Sequence, residues 1–170
     1  MATLTTAALI DSIAVLLTEA YAGPPNPSST WFIDNEPDSG ILGILAGVSA
    51  AEASRPMDRI GNPGSTIAAH AEHLRWSLAQ GNAALRGEPF QENWKESWRL
   101  IQADPAEWDR LRAELRADFE ALREAIRGQS DLSGDDLTGV LALLPHAAYH
   151  LGNIRQMIER VREFSDEAPG

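Results

Sequence analysis

The chain has no cysteine among its 170 residues, which excludes disulfide frameworks, thiolate zinc sites and thiol nucleophiles together. That absence fits a reducing compartment. Basic residues are scarce: 14 Lys and Arg stand against 25 Asp and Glu, for a formal net charge of -11. Nucleic acids and anionic membrane surfaces are recognised by clustered cations, so neither suits this composition as a partner. Long hydrophobic runs are missing too. The apolar stretch Ala7 to Leu17 is interrupted by Asp11 and Ser12, is too short to span a bilayer, and lacks a basic flank. These absences lead to the expectation of a cytoplasmic protein with no nucleic-acid or membrane partner. Strand-period runs of useful length and internal repeats are absent as well.

Helical periodicity is plentiful. One pattern runs from about Thr5 to Tyr21, with Leu9, Ile13, Leu16, Leu17 and Ala20 on a stripe, and stops at Gly23-Pro24-Pro25. The second begins at Ser65 or Thr66, behind Asn62-Pro63-Gly64, and runs to Leu85 with Ile67, Leu74, Leu78 and Leu85 inward. The third starts at Asp104-Pro105, an N-cap followed by proline at the first helical position. Its stripe is Trp108, Leu111, Leu115, Phe119, Leu122 and Ile126, ended by Gly128. The last spans about Asp135 to Phe164, with Ala147, Leu151, Ile154, Ile158 and Val161 inward and a kink expected at Pro145. Between the first two lies a crossover of about 40 residues, Pro/Ser/Asn/Asp-rich at first, with a short helix expected in Ile41 to Ala53. Its adjacent aromatics Trp31 and Phe32 are expected to tack it onto the domain. A further segment, Glu88 to Ala103, carries Phe90, Trp94 and Trp98. The sum is a single all-α domain, residues 1–170: a four-helix bundle with a long first crossover and short extra helices.

All four histidines fall into two pairs, His70 with His73 and His146 with His150. Residues three or four apart share a helix face, so each pair presents two imidazoles in one direction. Imidazole is the commonest neutral metal ligand. His146 and His150 flank the apolar stripe of the last helix and can face a bundle interior, where a buried pair needs hydrogen-bond or metal partners. On the second helix, periodicity sets His70 nearer the centre of the stripe and His73 further round.

The segment His146-Ala-Ala-Tyr-His150-Leu-Gly-Asn-Ile resembles the closing motif of the DinB-like metalloprotein superfamily, His-x-x-x-His-x-Gly-Gln-Ile, with Asn153 in the usual Gln place. The stretch Ser65-Thr-Ile-Ala-Ala-His-Ala-Glu-His73 is similar to the family's other motif, in which Ser or Thr precedes the ligand histidine by two turns. Counted in that register the ligand is His73, with His70 at a position variable in the family. The resemblance thus implies a metal held by His73, His146 and His150, and we side with it over periodicity, with His70 as the alternative.

Three protein ligands leave a coordination position open, as in catalytic rather than structural sites. Neutral imidazoles suit several divalent metals, with Zn or Ni expected here. Such an ion can acidify a water or a thiol, or polarise a carbonyl. The resemblance implies a metal-dependent enzyme, a thiol S-transferase or hydrolase, acting on small molecules with a low-molecular-weight thiol as partner, in a homodimer. The rival reading is a non-catalytic metal- or small-ligand-binding stress-response bundle. Asn153 and Tyr149 are candidates to support the site from behind. Glu72 is expected to face solvent or another helix, and Arg155 to be a solvated cation or a carboxylate binder. Trp76, Trp94 and Trp98 are expected in the core or lining a pocket.

Overall fold

A computed structural model describes residues 5–58, 61–89, 93–132 and 134–166, the side chains of the last three excepted. Capping chemistry sets the helix ends. α1 (Thr6–Ala22) starts where the Thr5 hydroxyl accepts the Ala8 N–H and ends at Gly23, whose φ of 92° few other residues tolerate. The crossover holds two short helices, α2 (Ile41–Ala46) and α3 (Ala50–Ala53), where one was expected. They are parted at Gly47, and Ser49 then opens α3 with a capping box closed by Glu52. α4 (Ile67–Leu85) takes Thr66 as its N-cap, and α5 (Pro105–Arg127) starts at Asp104 with Glu107 completing a second capping box. α6 (Gly134–Asp166) continues through Pro145. Between α4 and α5 the one regular element among the described residues is a 3-10 turn, Glu96–Trp98; Phe90 lies outside them.

α1 packs on α5 and α6, and α4 packs on the same two helices. The four long helices therefore form a square in which α1 and α4 take opposite corners, and the long crossover joins them. The core is the stripe read from the sequence on α5, every member of which is buried, together with Ile67, Leu74 and Leu78 of α4 and Ala147, Leu151, Ile154 and Val161 of α6. On α1 the inward face is rotated from expectation: Ile10, Ala14 and Tyr21 are buried, while Leu9 and Leu16 are only half-buried. Tyr21 stacks on Phe119 with centroids 5.0 Å apart. Among the described residues no helix is long and apolar enough to cross a membrane.

The crossover is not held by its aromatics as expected. Trp31 is 74 % exposed and Phe32 44 % exposed. Its anchor is instead a buried carboxylate on α1. Glu19 accepts the backbone N–H groups of Trp31 at 2.8 Å and 3.0 Å, Phe32 at 2.8 Å and Ile33 at 3.3 Å. A short acid surrounded by backbone donors satisfies a loop that has no ladder of its own. From α6, Arg155 adds an ion pair to Asp34 and a hydrogen bond to the Ser39 carbonyl at 2.6 Å. Gly40 passes so close to the end of α1 that a Cβ there would stand 2.4 Å from the Gly23 nitrogen, so only glycine closes this crossing.

Truncating Glu19 strands these N–H groups against the bundle. Glu19→Ala is expected to lower the unfolding free energy by about 2–3 kcal/mol in urea titration. A loss below about 0.5 kcal/mol, the scale of an indifferent surface change, would show that the loop does not depend on it.

Candidate metal centre

The Thr66 cap sets the register of α4, and His70 and His73 follow one and two turns inside it on the face turned to α6. From α6, His146 and His150 answer at a spacing of one turn. Four imidazoles thus meet between two adjacent helices. His70, His73 and His150 are buried and His146 is half-buried. The 3-10 turn closes the cluster from the side: the Trp98 ring stacks on His73 at 4.0 Å and 16°, and meets His70 edge-on at 5.4 Å.

Each ring has a defined polar neighbour. His73 Nδ1 lies 2.6 Å from Ser97 Oγ. The Ser97 hydroxyl donates to the Trp94 carbonyl at 2.7 Å, so towards His73 it is an acceptor and His73 carries its proton on Nδ1. The Nε2 lone pair of His73 is therefore directed into the cluster, where it stands 3.0 Å from Nε2 of His146. On its far side His146 Nδ1 meets Ser77 Oγ at 3.2 Å. His150 Nδ1 faces His70 Nδ1 at 2.8 Å, and His70 Nε2 donates to the Gly64 carbonyl at 3.0 Å. Gly64 turns at φ 82° with no side chain against Trp98, where a Cβ would come within 3.1 Å of the ring.

One nitrogen each from His73, His146 and His150 lie within 4.8 Å of one another, so these three can hold a divalent metal ion. The donor set fits. Two imidazoles on one tetrahedral zinc, with Zn–N bonds of 2.0–2.1 Å, place their nitrogens about 3.3 Å apart, close to the separation of His73 and His146. Each ring also has a second nitrogen engaged by an outer partner, the arrangement that orients metal-binding histidines.

Burial keeps the cluster neutral. Desolvation, reinforced by the neighbouring His146 and His70, holds His73 down to about 4. His150 is pushed down to about 2 by desolvation and then by its three companions. Desolvation also lowers His146 and His70, the latter partly offset by its bond to Gly64.

Other sequence candidates find more ordinary places. Glu72 pairs with Arg75 at 2.7 Å, which also reaches Asp118 at 3.5 Å. Arg155 is a carboxylate binder, but its carboxylate is Asp34 of the crossover. Trp76 is buried, whereas Trp94 is 44 % exposed beside His73. Tyr149 is 66 % exposed, with its ring edge against His150 at 5.0 Å, so it is no core residue. With Asn153, Gln156 and His70 it lines a polar cavity of 620 Å³. A second cavity, of 520 Å³ and mainly apolar, runs between α4 and the first half of α6. Its walls include Gly81, Leu85, Trp94, Gly139, Val140 and Leu143, with Ser77 and His146 at the histidine cluster. Ser77 was legible in principle, since it lies one helical turn after His73 on the same face. Ser97 and Gly64 carried no local signal, because only folding brings them to the rings.

Comparison with protein-family models, with curated proteins and with solved structures gives no match for this chain.

The lowered imidazole values have a direct consequence for the metal-free protein. Below the ordinary value of 6.5 the unfolded chain binds protons that the folded cluster refuses. Stability is therefore full above about pH 6.5 and is lost progressively as acid is added. The urea midpoint of the metal-free protein is expected to fall from about pH 7 to about pH 5, before most carboxylates titrate. A midpoint that stays flat or rises over that interval would contradict a buried neutral cluster.

Proposed function

We propose that this chain is a DinB-like, metal-dependent enzyme, a thiol S-transferase that uses His73, His146 and His150 as its metal ligands. The observation that carries the reading is the convergence of three neutral imidazole nitrogens, each ring oriented by an outer partner, in a site with no fourth protein ligand among the described residues. A divalent ion held there, Zn or Ni, supplies a Lewis acid with an open position that favours the thiolate form of a thiol.

The chain's own groups do the rest. Ser97 holds His73 with its Nδ1 protonated and its Nε2 free. Ser77 can accept from or donate to His146 Nδ1, because a hydroxyl does both. That freedom lets the His146 proton sit on Nε2, facing His73, when no cation is bound, and on Nδ1 when the lone pair of Nε2 is required. Trp98 covers one side of His73 and excludes water from that ring.

Two cavities reaching the cluster favour a two-substrate transferase over a hydrolase. The polar cavity beside His70, Tyr149 and Asn153 suits a hydrophilic thiol. The apolar slot ending at His146 suits the body of an electrophile. Among the described residues Asp135 and Asp136 line that slot and no Lys or Arg does, so the electrophile is uncharged or cationic rather than anionic. A hydrolase remains the second reading, favoured by the same open site if water replaces the thiol.

Untagged protein is expected to bind one equivalent of Zn or Ni by elemental analysis, with a rise in melting temperature on addition of metal. Alanine at His73, His146 or His150 should abolish stoichiometric binding, whereas His70→Ala should keep it at saturating metal. Loss at His70 with retention at His73 would reverse the ligand assignment.

The slot gives a separate test with monochlorobimane and low-molecular-weight thiols as substrates. A side chain at Gly139 enters open space, and leucine suits a helix better than glycine does. Gly139→Leu is expected to raise the KM for the bimane about tenfold, the order set by blocking a small apolar pocket, without changing metal content. Turnover absent with every thiol would remove the transferase reading, and an unchanged KM would remove the slot.

A further inference from the structure

His70 is the one histidine outside the ligand group, yet it is 7 % exposed and has both ring nitrogens engaged. The Gly64 carbonyl can only accept, so the proton of His70 is on Nε2. A neutral imidazole has a single N–H, and the Nδ1 of His70 is therefore a bare acceptor. Across the 2.8 Å contact the donor must be Nδ1–H of His150. That leaves the proton of His150 on Nδ1 and its lone pair on Nε2.

We infer that His70 is a positioning residue: anchored on the Gly64 carbonyl, it occupies Nδ1 of His150 and fixes the tautomer and orientation of that ring, leaving Nε2 as the nitrogen whose lone pair is free for the group formed with His73 and His146. The role rests on the metal reading above for its purpose, but not for its geometry. A chain of carbonyl, imidazole and imidazole stands where a ligand histidine more often has a single carbonyl or carboxylate behind it. A neutral acceptor orients the ring as a carboxylate would, without adding negative charge, so the site keeps the full charge of its ion. Gly64 also explains the packing, since its φ of 82° and bare Cα let the carbonyl come to His70 beneath Trp98.

The test separates tautomer from metal. Long-range ¹⁵N–¹H NMR of the metal-free wild type should show His150 protonated on Nδ1 and His70 on Nε2. Zinc affinity is then measured by competition with a chromophoric chelator in two variants. His70→Leu keeps bulk but removes the acceptor. His70→Asn keeps an acceptor, because Oδ1 of asparagine is bonded to Cγ as Nδ1 of histidine is.

His70→Leu is expected to weaken zinc binding about tenfold to a hundredfold, the usual cost of losing an outer partner, and to release His150 into a mixture of tautomers. His70→Asn should return affinity to within a few-fold of wild type and restore the Nδ1–H signal of His150. The inference is overturned if wild-type His150 is protonated on Nε2, if His70→Leu binds zinc as tightly as wild type, or if His70→Asn is as weak as His70→Leu. Should the wild type take up no zinc, the metal reading fails by itself, and the tautomers of the metal-free protein still decide the role of His70.

Discussion

Four imidazoles share one desolvated space between α4 and α6, and they can do so only while uncharged. Burying a charge without a partner costs far more than a bundle of this size can sustain, so the cluster resists protonation instead. Neutral imidazoles are still polar on both sides, and each buried nitrogen needs an answer. Ser97, Ser77 and the Gly64 carbonyl give those answers on the outside of the cluster. What then faces inward is a group of nitrogens within 4.8 Å of one another, able to hold a cation once the His146 proton moves from Nε2 to Nδ1. Stability and the capacity to hold a metal thus follow from a single requirement: every imidazole must be neutral and satisfied.

The rest of the fold serves that juxtaposition. α5 presents an uninterrupted apolar stripe to both α1 and α4, and so fixes the corner from which α4 faces α6. The crossover that carries the chain from α1 to the diagonal corner is tied down by polar contacts. Glu19 gathers backbone donors beneath it, and Arg155 grips Asp34 and Ser39 from α6. Because Arg155 lies on the same helix as His146 and His150, the loop and the site share a support.

The amphipathic record was legible where a helix has one apolar face and good caps. Every stripe residue of α5, and the starts of α1, α4 and α5, sit where periodicity and capping put them. It was less legible where a helix is buried on more than one side, as α4 is, with His70, His73, Trp76 and Ser77 all inside. No single stripe describes such a helix, which is why periodicity favoured His70 and the motif register favoured His73. Both point inward. The loop aromatics misled for another reason: hydrophobicity alone places Trp31 and Phe32 inside, but the buried carboxylate of Glu19 takes their backbone and leaves their rings outside.

By itself the sequence determined an all-helical bundle and two histidine pairs, because caps, stop signals and the spacing of apolar residues act over a few residues at a time. It also determined, through the absence of cysteine, that any metal site here is built without thiolate. Only the tertiary structure decided that the pairs face each other, that Ser97 and Gly64 stand behind them, and that two cavities reach the cluster. Those relations join residues far apart in the chain. A hydrogen bond such as that between His70 and His150 is set by the packing of α4 on α6, and no local pattern encodes it.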